Sequence, residues 1–175
     1  MAKNTKQNLL NGALILSLAI IAVKLIGVFF KLYVTLKIGY DGKGYYATAY
    51  NIYTPIYAIA LAGLPTAVAK MVASKAAQGR YRDVKNLFSV SRSLFALTGL
   101  AGTVIILLIT YPYVYTIDSF DSIPAILAIT PSLFFCCVMS GYRGYFQGLQ
   151  NMKPSAASQS IEAFGKLIFG WLLIN

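Results

Sequence analysis

Five long apolar stretches divide the chain, separated by short segments rich in glycine, tyrosine, lysine, arginine or aspartate. The first runs from Leu9 to Ile38 and carries only Lys24, Lys31 and Lys37 as charges. The second, about Tyr45 to Val72, is interrupted by Pro55 and Pro65, each of which removes a backbone hydrogen bond and kinks a helix. The third runs from Leu87 to Thr110, the fourth from Ile123 to Tyr145, and the fifth from Ser155 to Asn175. A helix needs about 20 apolar residues to cross a hydrocarbon core. The pattern therefore predicts an all-α, polytopic transmembrane helix bundle of about five spans, at 9–38, 45–72, 87–110, 123–145 and 155–175. Gly39–Gly44 reads as a turn, because its glycines supply unusual dihedrals. Residues 111–122 read as an aromatic and acidic loop. Pro154 suits the first turn of the last helix. That helix is still apolar at Asn175, so the expectation is a partial chain, with the rest of a larger protein beyond it.

Composition agrees with this reading. Hydrophobic residues make up 58% of the chain and charged ones 11%, against about 25% charged in average globular domains. A soluble domain of this size buries too little of its surface to hide so much apolar area. The net charge of +10 does not indicate nucleic acid, since no nucleic-acid fold accompanies it. The basic residues sit between spans. Lys3, Lys6, the group Lys70, Lys75, Arg80, Arg82 and Lys85, then Arg143 and Lys153, fall on one side. Lys43, Asp41, Asp118 and Asp121 fall on the other. Positive charge marks the cytoplasmic side, so the N-terminus is expected in the cytoplasm and the protein in the cell membrane. Tyr111, Tyr113 and Tyr115 suit an aromatic belt at the opposite interface. The first stretch is too long, and too charged at Lys24, for a cleavable signal peptide. With no histidine and only the adjacent pair Cys136–Cys137, no disulfide, metal site, cofactor or enzymatic centre is expected.

Charges inside the spans are the candidate chemistry. Lys24 and Lys31 are seven residues apart and lie about 20° apart around a helix. Ser17 continues their stripe and Gly27 lies one turn from Lys24. A lysine near the bilayer centre costs about 2.5–3.5 kcal/mol on insertion scales. Such a pair either faces a wet cavity that receives phosphate or reaches an interface by snorkelling. Tyr46, Tyr50, Tyr53 and Tyr57 share one helical face and either line a cavity against sugar or pack on a neighbouring helix. Glu162 and Lys166, four residues apart, have the spacing of an ion pair. That pair is either functional or only a link between helices, and Glu162 is also a candidate proton carrier. Gly144 and Gly148 allow close helix contact, and Arg143 beside them is either a phosphate contact or a topology anchor.

The run Gly141-Tyr142-Arg143-Gly144-Tyr145-Phe146-Gln147-Gly148-Leu149-Gln150-Asn151-Met152-Lys153-Pro154-Ser155, followed by Ser158-Gln159 and Glu162, resembles the stage V sporulation protein B family. So do Lys24-Leu25-Ile26-Gly27 with Lys31, and the stretch from Gly63 to Lys70. This family lies in the polysaccharide-transporter branch of the multidrug/oligosaccharidyl-lipid/polysaccharide exporter superfamily, which includes lipid II flippases. The resemblance covers essentially the whole chain. It implies a two-lobed transporter of which this chain supplies part of the N-terminal lobe, with Lys24 and Lys31 where lipid II flippases carry cationic cavity residues. Those flippases also carry an arginine pair in the second helix, whereas this chain has no basic residue between Lys43 and Lys70. The expected activity is flipping of an undecaprenyl-pyrophosphate-linked sugar for cell-wall or spore-cortex synthesis. The expected partners are that lipid-linked oligosaccharide, membrane lipids and the remaining half of the transporter. The expected substrate contacts are Lys24, Lys31, Arg143, Glu162, Lys166, Tyr50, Tyr53 and Tyr57. Two other functions compete. A cation-coupled multidrug exporter would favour acidic cavity groups, and a non-transporting membrane scaffold would need no cations deep in a span.

Overall fold

The computed structural model describes the backbone of residues 2–174, and side chains at position 12, from 14 to 40 and from 42 to 172. The side chains of Lys3, Lys6 and Asp41, and the last expected span residue, Asn175, lie outside the described residues. Six α-helices follow in order: α1 Ala2–Lys37, α2 Gly39–Leu61, α3 Leu64–Ala77, α4 Tyr81–Thr116, α5 Ile123–Gly148 and α6 Lys153–Ile174. A single 3-10 turn, Phe120–Ser122, precedes α5, and no strand occurs among the described residues.

Three segments differ from the sequence expectation. Gly39–Gly44 is helical: the chain leaves α1 at Ile38, and Gly39 alone takes the left-handed backbone, φ +76°. One glycine suffices because it carries no Cβ to clash there. The basic connector around residues 73–86 is mostly helix, leaving Gln78–Arg80 between α3 and α4, with Gly79 at φ +72°. The expected loop at 111–122 begins only after Thr116, since α4 continues through Pro112. A helix of that length spans about 54 Å at 1.5 Å per residue. It therefore outruns a hydrocarbon core of about 30 Å, and its tyrosine-rich end stays helical.

Of the two prolines of the second span, α2 passes through Pro55 without ending. The break falls at Ala62–Gly63, where Gly63 has φ +71° and Pro65 sits in the first turn of α3. Proline is suited to that turn because its missing N–H has no acceptor to serve. The Gly63 carbonyl accepts from the Ala67 amide at 2.9 Å and the Thr66 hydroxyl at 2.7 Å.

Four stretches of the described residues are long and apolar enough to cross a membrane: Leu14–Lys37, Gly42–Ala77, Tyr81–Thr116 and Phe120–Gly148. α6 adds an apolar helix that carries Glu162 and Lys166. Large apolar side chains such as Leu18, Phe29, Ile59, Leu97 and Leu108 stand exposed on these helices, as expected where lipid is the surrounding solvent. The chain is a multi-pass membrane protein.

The helices form two compact units, residues 1–39 with 146–175, and residues 40–145. In the first, α1 packs along α6. A Cβ added at Gly12 would lie 3.3 Å from Met152, and one added at Gly170 would overlap the Phe30 ring. Both contacts join residues separated by the same sequence distance, so α1 and α6 run parallel and in fixed register. Ala156, Ala163 and Gly170 recur every seven residues on the α1-facing side of α6. Small side chains at that seam let the backbones approach.

In the second unit, α4 and α5 run antiparallel: Phe95 meets Gly141, Gly99 meets Cys137, and Gly102 meets Leu133. α2 lies along α5 in the same direction, through Tyr45–Asp121 and Tyr53–Ser132, and Pro65 of α3 continues that register against Gly144. Ala49, Ile52, Ile106, Val114, Ile126, Leu133 and Cys137 form its core. Buried Thr110 and Thr130 turn their hydroxyls back to the carbonyls of Ile106 and Ile126, at 2.7 and 2.6 Å, which satisfies them without water. Cys136 and Cys137 are not joined in a disulfide.

Candidate functional site

The first unit carries Lys24, Lys31, Glu162 and Lys166. On α1, the stripe turned toward α6 contains Val23, Phe30 and buried Val34. Lys24 and Lys31 each follow a residue of this stripe, so they stand about 100° round the helix from it, and both are exposed. On α6, Glu162 immediately precedes buried Ala163 of the contact seam, which rotates it about 100° in the opposite sense. Because the helices run parallel, these opposite rotations bring Lys24, Lys31 and Glu162 to the same flank of the pair. Lys166, three residues after Ala163, falls on that flank too. The register set by Gly12–Met152 and Phe30–Gly170 places Glu162 level with Ala22 and Lys166 level with Ile26. Lys24 lies between them, within an axial span of about 6 Å. Its Cα is about 15 Å past the start of the apolar stretch at Leu14, near the middle of a hydrocarbon layer of about 30 Å. Lys31 lies about 10 Å further along.

Glu162 and Lys166 form the ion pair that their spacing predicts, with Nζ to Oε1 at 2.6 Å. It is not enclosed: the two side chains are 31% and 65% exposed, respectively. Both charges belong to α6 itself, four residues apart. Gly27 has open space where a Cβ would stand.

The second unit carries the tyrosines. Tyr46, Tyr50, Tyr53 and Tyr57 make a continuous ladder on α2, with successive ring centroids 4.6, 6.1 and 5.5 Å apart. Tyr46, Tyr50 and Tyr57 are exposed and Tyr53 is half-buried. The core-facing stripe of the same helix, Ala49–Ile52–Ile56, lies to one side of the ladder. Tyr53 of the ladder reaches α5, its hydroxyl lying 3.4 Å from Ser132 Oγ. Ser132 also approaches the Ile129 carbonyl at 2.6 Å. A serine has one proton to give, so with that proton on the carbonyl, Tyr53 is the donor to Ser132.

Arg143 is half-buried near the end of α5. Its neighbours Tyr142 and Tyr145 both hold the ring of Phe88 from α4, with centroids 5.2 and 4.4 Å apart. Gly144 lies against the backbone of Pro65, where a Cβ would meet the carbonyl oxygen at 2.7 Å. The glycine of this motif is thus a packing residue that seats α3 on α5. The antiparallel register brings Arg92 of α4 to the level of Arg143. Arg92 is exposed and was not singled out from the sequence. A lone arginine near the start of a long apolar run reads as part of the span, and only the facing helix reveals a second cation at its depth.

The sequence profile of the polysaccharide biosynthesis protein family matches residues 9–175, nearly the whole chain. The chain belongs to this family. Its relatives include the stage V sporulation protein B of Bacillus subtilis (strain 168), 32% identical over 158 residues, which cover 90% of this chain and 30% of that protein. The lipid II flippase MurJ of the same organism is 28% identical over 172 residues, covering 92% of this chain and 31% of its own length. The chain thus spans about a third of the length of these curated family members. No solved structure matches it.

Proposed function

We propose that this chain is part of a flippase that carries a lipid-linked sugar precursor, joined through pyrophosphate to an undecaprenyl tail, from the inner to the outer leaflet of the cell membrane. The observation that carries the reading is the flank of α1 and α6 on which Lys24, Lys31, Glu162 and Lys166 gather at span depth. Ammonium groups there are stable only against water, protein or an anion. A phosphate oxygen is a strong acceptor for them, because charge-assisted hydrogen bonds replace part of its hydration. No bond is made or broken, so the protein is not an enzyme. Its partners are the lipid-linked oligosaccharide, the surrounding lipids and the rest of the transporter, whose lobes rock about the bound headgroup. The tyrosine ladder, with ring faces and hydroxyls along one side of α2, suits contact with the sugar. The relatives' printed names, a sporulation protein and a lipid II flippase, support this cargo class for the whole protein. The excess of ammonium over carboxylate weighs against export of cationic drugs.

The N-terminus lies in the cytoplasm in this reading. Within the second unit, the helix ends near the α3–α4 junction collect Lys70, Lys75, Arg80, Arg82 and Lys85, with Arg143 at the end of α5. The opposite ends carry Lys43, Asp118 and Asp121. That separation follows the positive-inside rule.

The test is headgroup translocation in vesicles holding the full-length protein with Lys24→Ala or Lys31→Ala. Losing one charge-assisted contact, worth about 1.5–3 kcal/mol, is expected to slow transport about 10- to 100-fold. Wild-type rates in both variants, at normal insertion, would refute the role of this flank.

A further inference from the structure

We infer that Glu162 and Lys166 set the charge of the anion site and thereby its preference for a diphosphate over a monophosphate linkage. This rests on the flippase reading above, since it names which phosphate the same flank accepts. The parallel register of α1 and α6 sets the depth of each charge. Lys24 falls between Glu162 and Lys166 in depth, on the same flank, with Lys31 one heptad on. Among the described side chains at span depth, three ammonium groups and one carboxylate leave this flank with a net charge of +2. A polyprenyl diphosphate esterified at both ends carries two negative charges, and the corresponding monophosphate diester carries one. A site of +2 is neutralised by the first and left charged by the second. At span depth, where the effective dielectric is low, uncompensated charge is costly.

Glu162 has a defined part in this. Without it the flank would be +3, binding any phosphate tightly and releasing it slowly. With the carboxylate at 2.6 Å from Lys166, that ammonium is already partly satisfied and can be shared with an incoming phosphate oxygen. The pair's exposure leaves room for such an approach. Both residues act as specificity-determining groups. No bond of the ligand changes.

The experiment uses full-length protein in nanodiscs and two probes, a polyprenyl diphosphate-linked sugar and its monophosphate-linked counterpart. The readout is the ratio of their dissociation constants. The wild type is expected to favour the diphosphate about tenfold or more. Lys166→Gln lowers the flank to +1 and is expected to abolish most of that preference. The double variant Glu162→Gln with Lys166→Gln returns the flank to +2 and is expected to restore it. Glu162→Gln alone raises the ratio and slows release. An ion pair that merely joins turns of α6 would change the melting temperature in these variants and leave the ratio alone. A constant ratio across the series, or a double variant that stays as unselective as Lys166→Gln, overturns the inference. Should Lys166→Gln fail to assemble, the ratio for Glu162→Gln decides, and an unchanged value overturns the proposal. Lys24→Ala separates the two levels. If it leaves diphosphate binding intact, the flippase reading of the flank fails. If it weakens binding while the Glu162–Lys166 series stays flat, only the charge-matching inference fails.

Discussion

Replacing Gly144 by alanine tests whether the glycine-rich motif at the end of α5 exists for packing. The new Cβ would stand 2.7 Å from the Pro65 carbonyl oxygen and 3.2 Å from its Cα. These are backbone atoms at the start of α3, held by the Gly63 hydrogen bonds, and they cannot rotate away as a side chain tip could. Overpacking of this kind costs about 1–3 kcal/mol, and rigid neighbours put the value near the top of that range. Alanine returns about 1 kcal/mol through helix propensity, leaving a net loss of about 2 kcal/mol. Gly27→Ala is the matched control, since nothing lies within 4 Å of its Cβ, and it gains the same propensity term with no clash. The two variants should therefore differ by about 3 kcal/mol, roughly two orders of magnitude in folding equilibrium at 1.4 kcal/mol per decade. Reversible unfolding of the full-length protein in mixed detergent, followed by circular dichroism, measures this. Equal stability of Gly144→Ala and Gly27→Ala would show that the α3–α5 contact is not as tight as described.

Three other outcomes are expected. Phe95 is fully buried and its ring fills the space above Gly141, so Phe95→Ala should destabilise the protein by about 3–5 kcal/mol in the same unfolding assay. Gln150 holds φ +60° in the turn between α5 and α6, where a side chain costs about 1–2 kcal/mol. Gln150→Gly should raise stability by about 1 kcal/mol, and a loss would mean that the side chain has a holding role. With Cys136 and Cys137 replaced by alanine, a membrane-impermeant maleimide added to intact cells should label Asp118→Cys but not Gln78→Cys, and the reverse pattern would invert the proposed orientation.

Much of the architecture was legible because lipid imposes a simple rule on sequence. Every buried backbone group must be satisfied within a helix, so long apolar runs become helices whatever their neighbours are. Where polar residues intervened, helix was mistaken for turn or loop. Gly39–Gly44 looked like a turn, yet Gly39 alone took the left-handed backbone and the rest continued as helix. Residues 111–116 looked like a loop, yet an interfacial helix tolerates tyrosine as readily as a loop does. The Glu162–Lys166 pair was readable because both partners lie within one helical turn. The depth shared by Arg92 and Arg143 was not, because it depends on how α4 meets α5.

The sequence by itself determined that the chain crosses a membrane repeatedly, which residues are charged within the spans, and which of them share a face of one helix. Periodicity is a property of a single helix, so it can be counted along the chain. Only the tertiary structure decided that α1 and α6 pack together in fixed register and bring Lys24 level with Glu162 and Lys166. That register comes from Phe30 resting on Gly170 and Met152 resting beside Gly12, contacts between residues far apart in the chain. Van der Waals packing at a small-residue seam sets it, and no spacing within either helix encodes it.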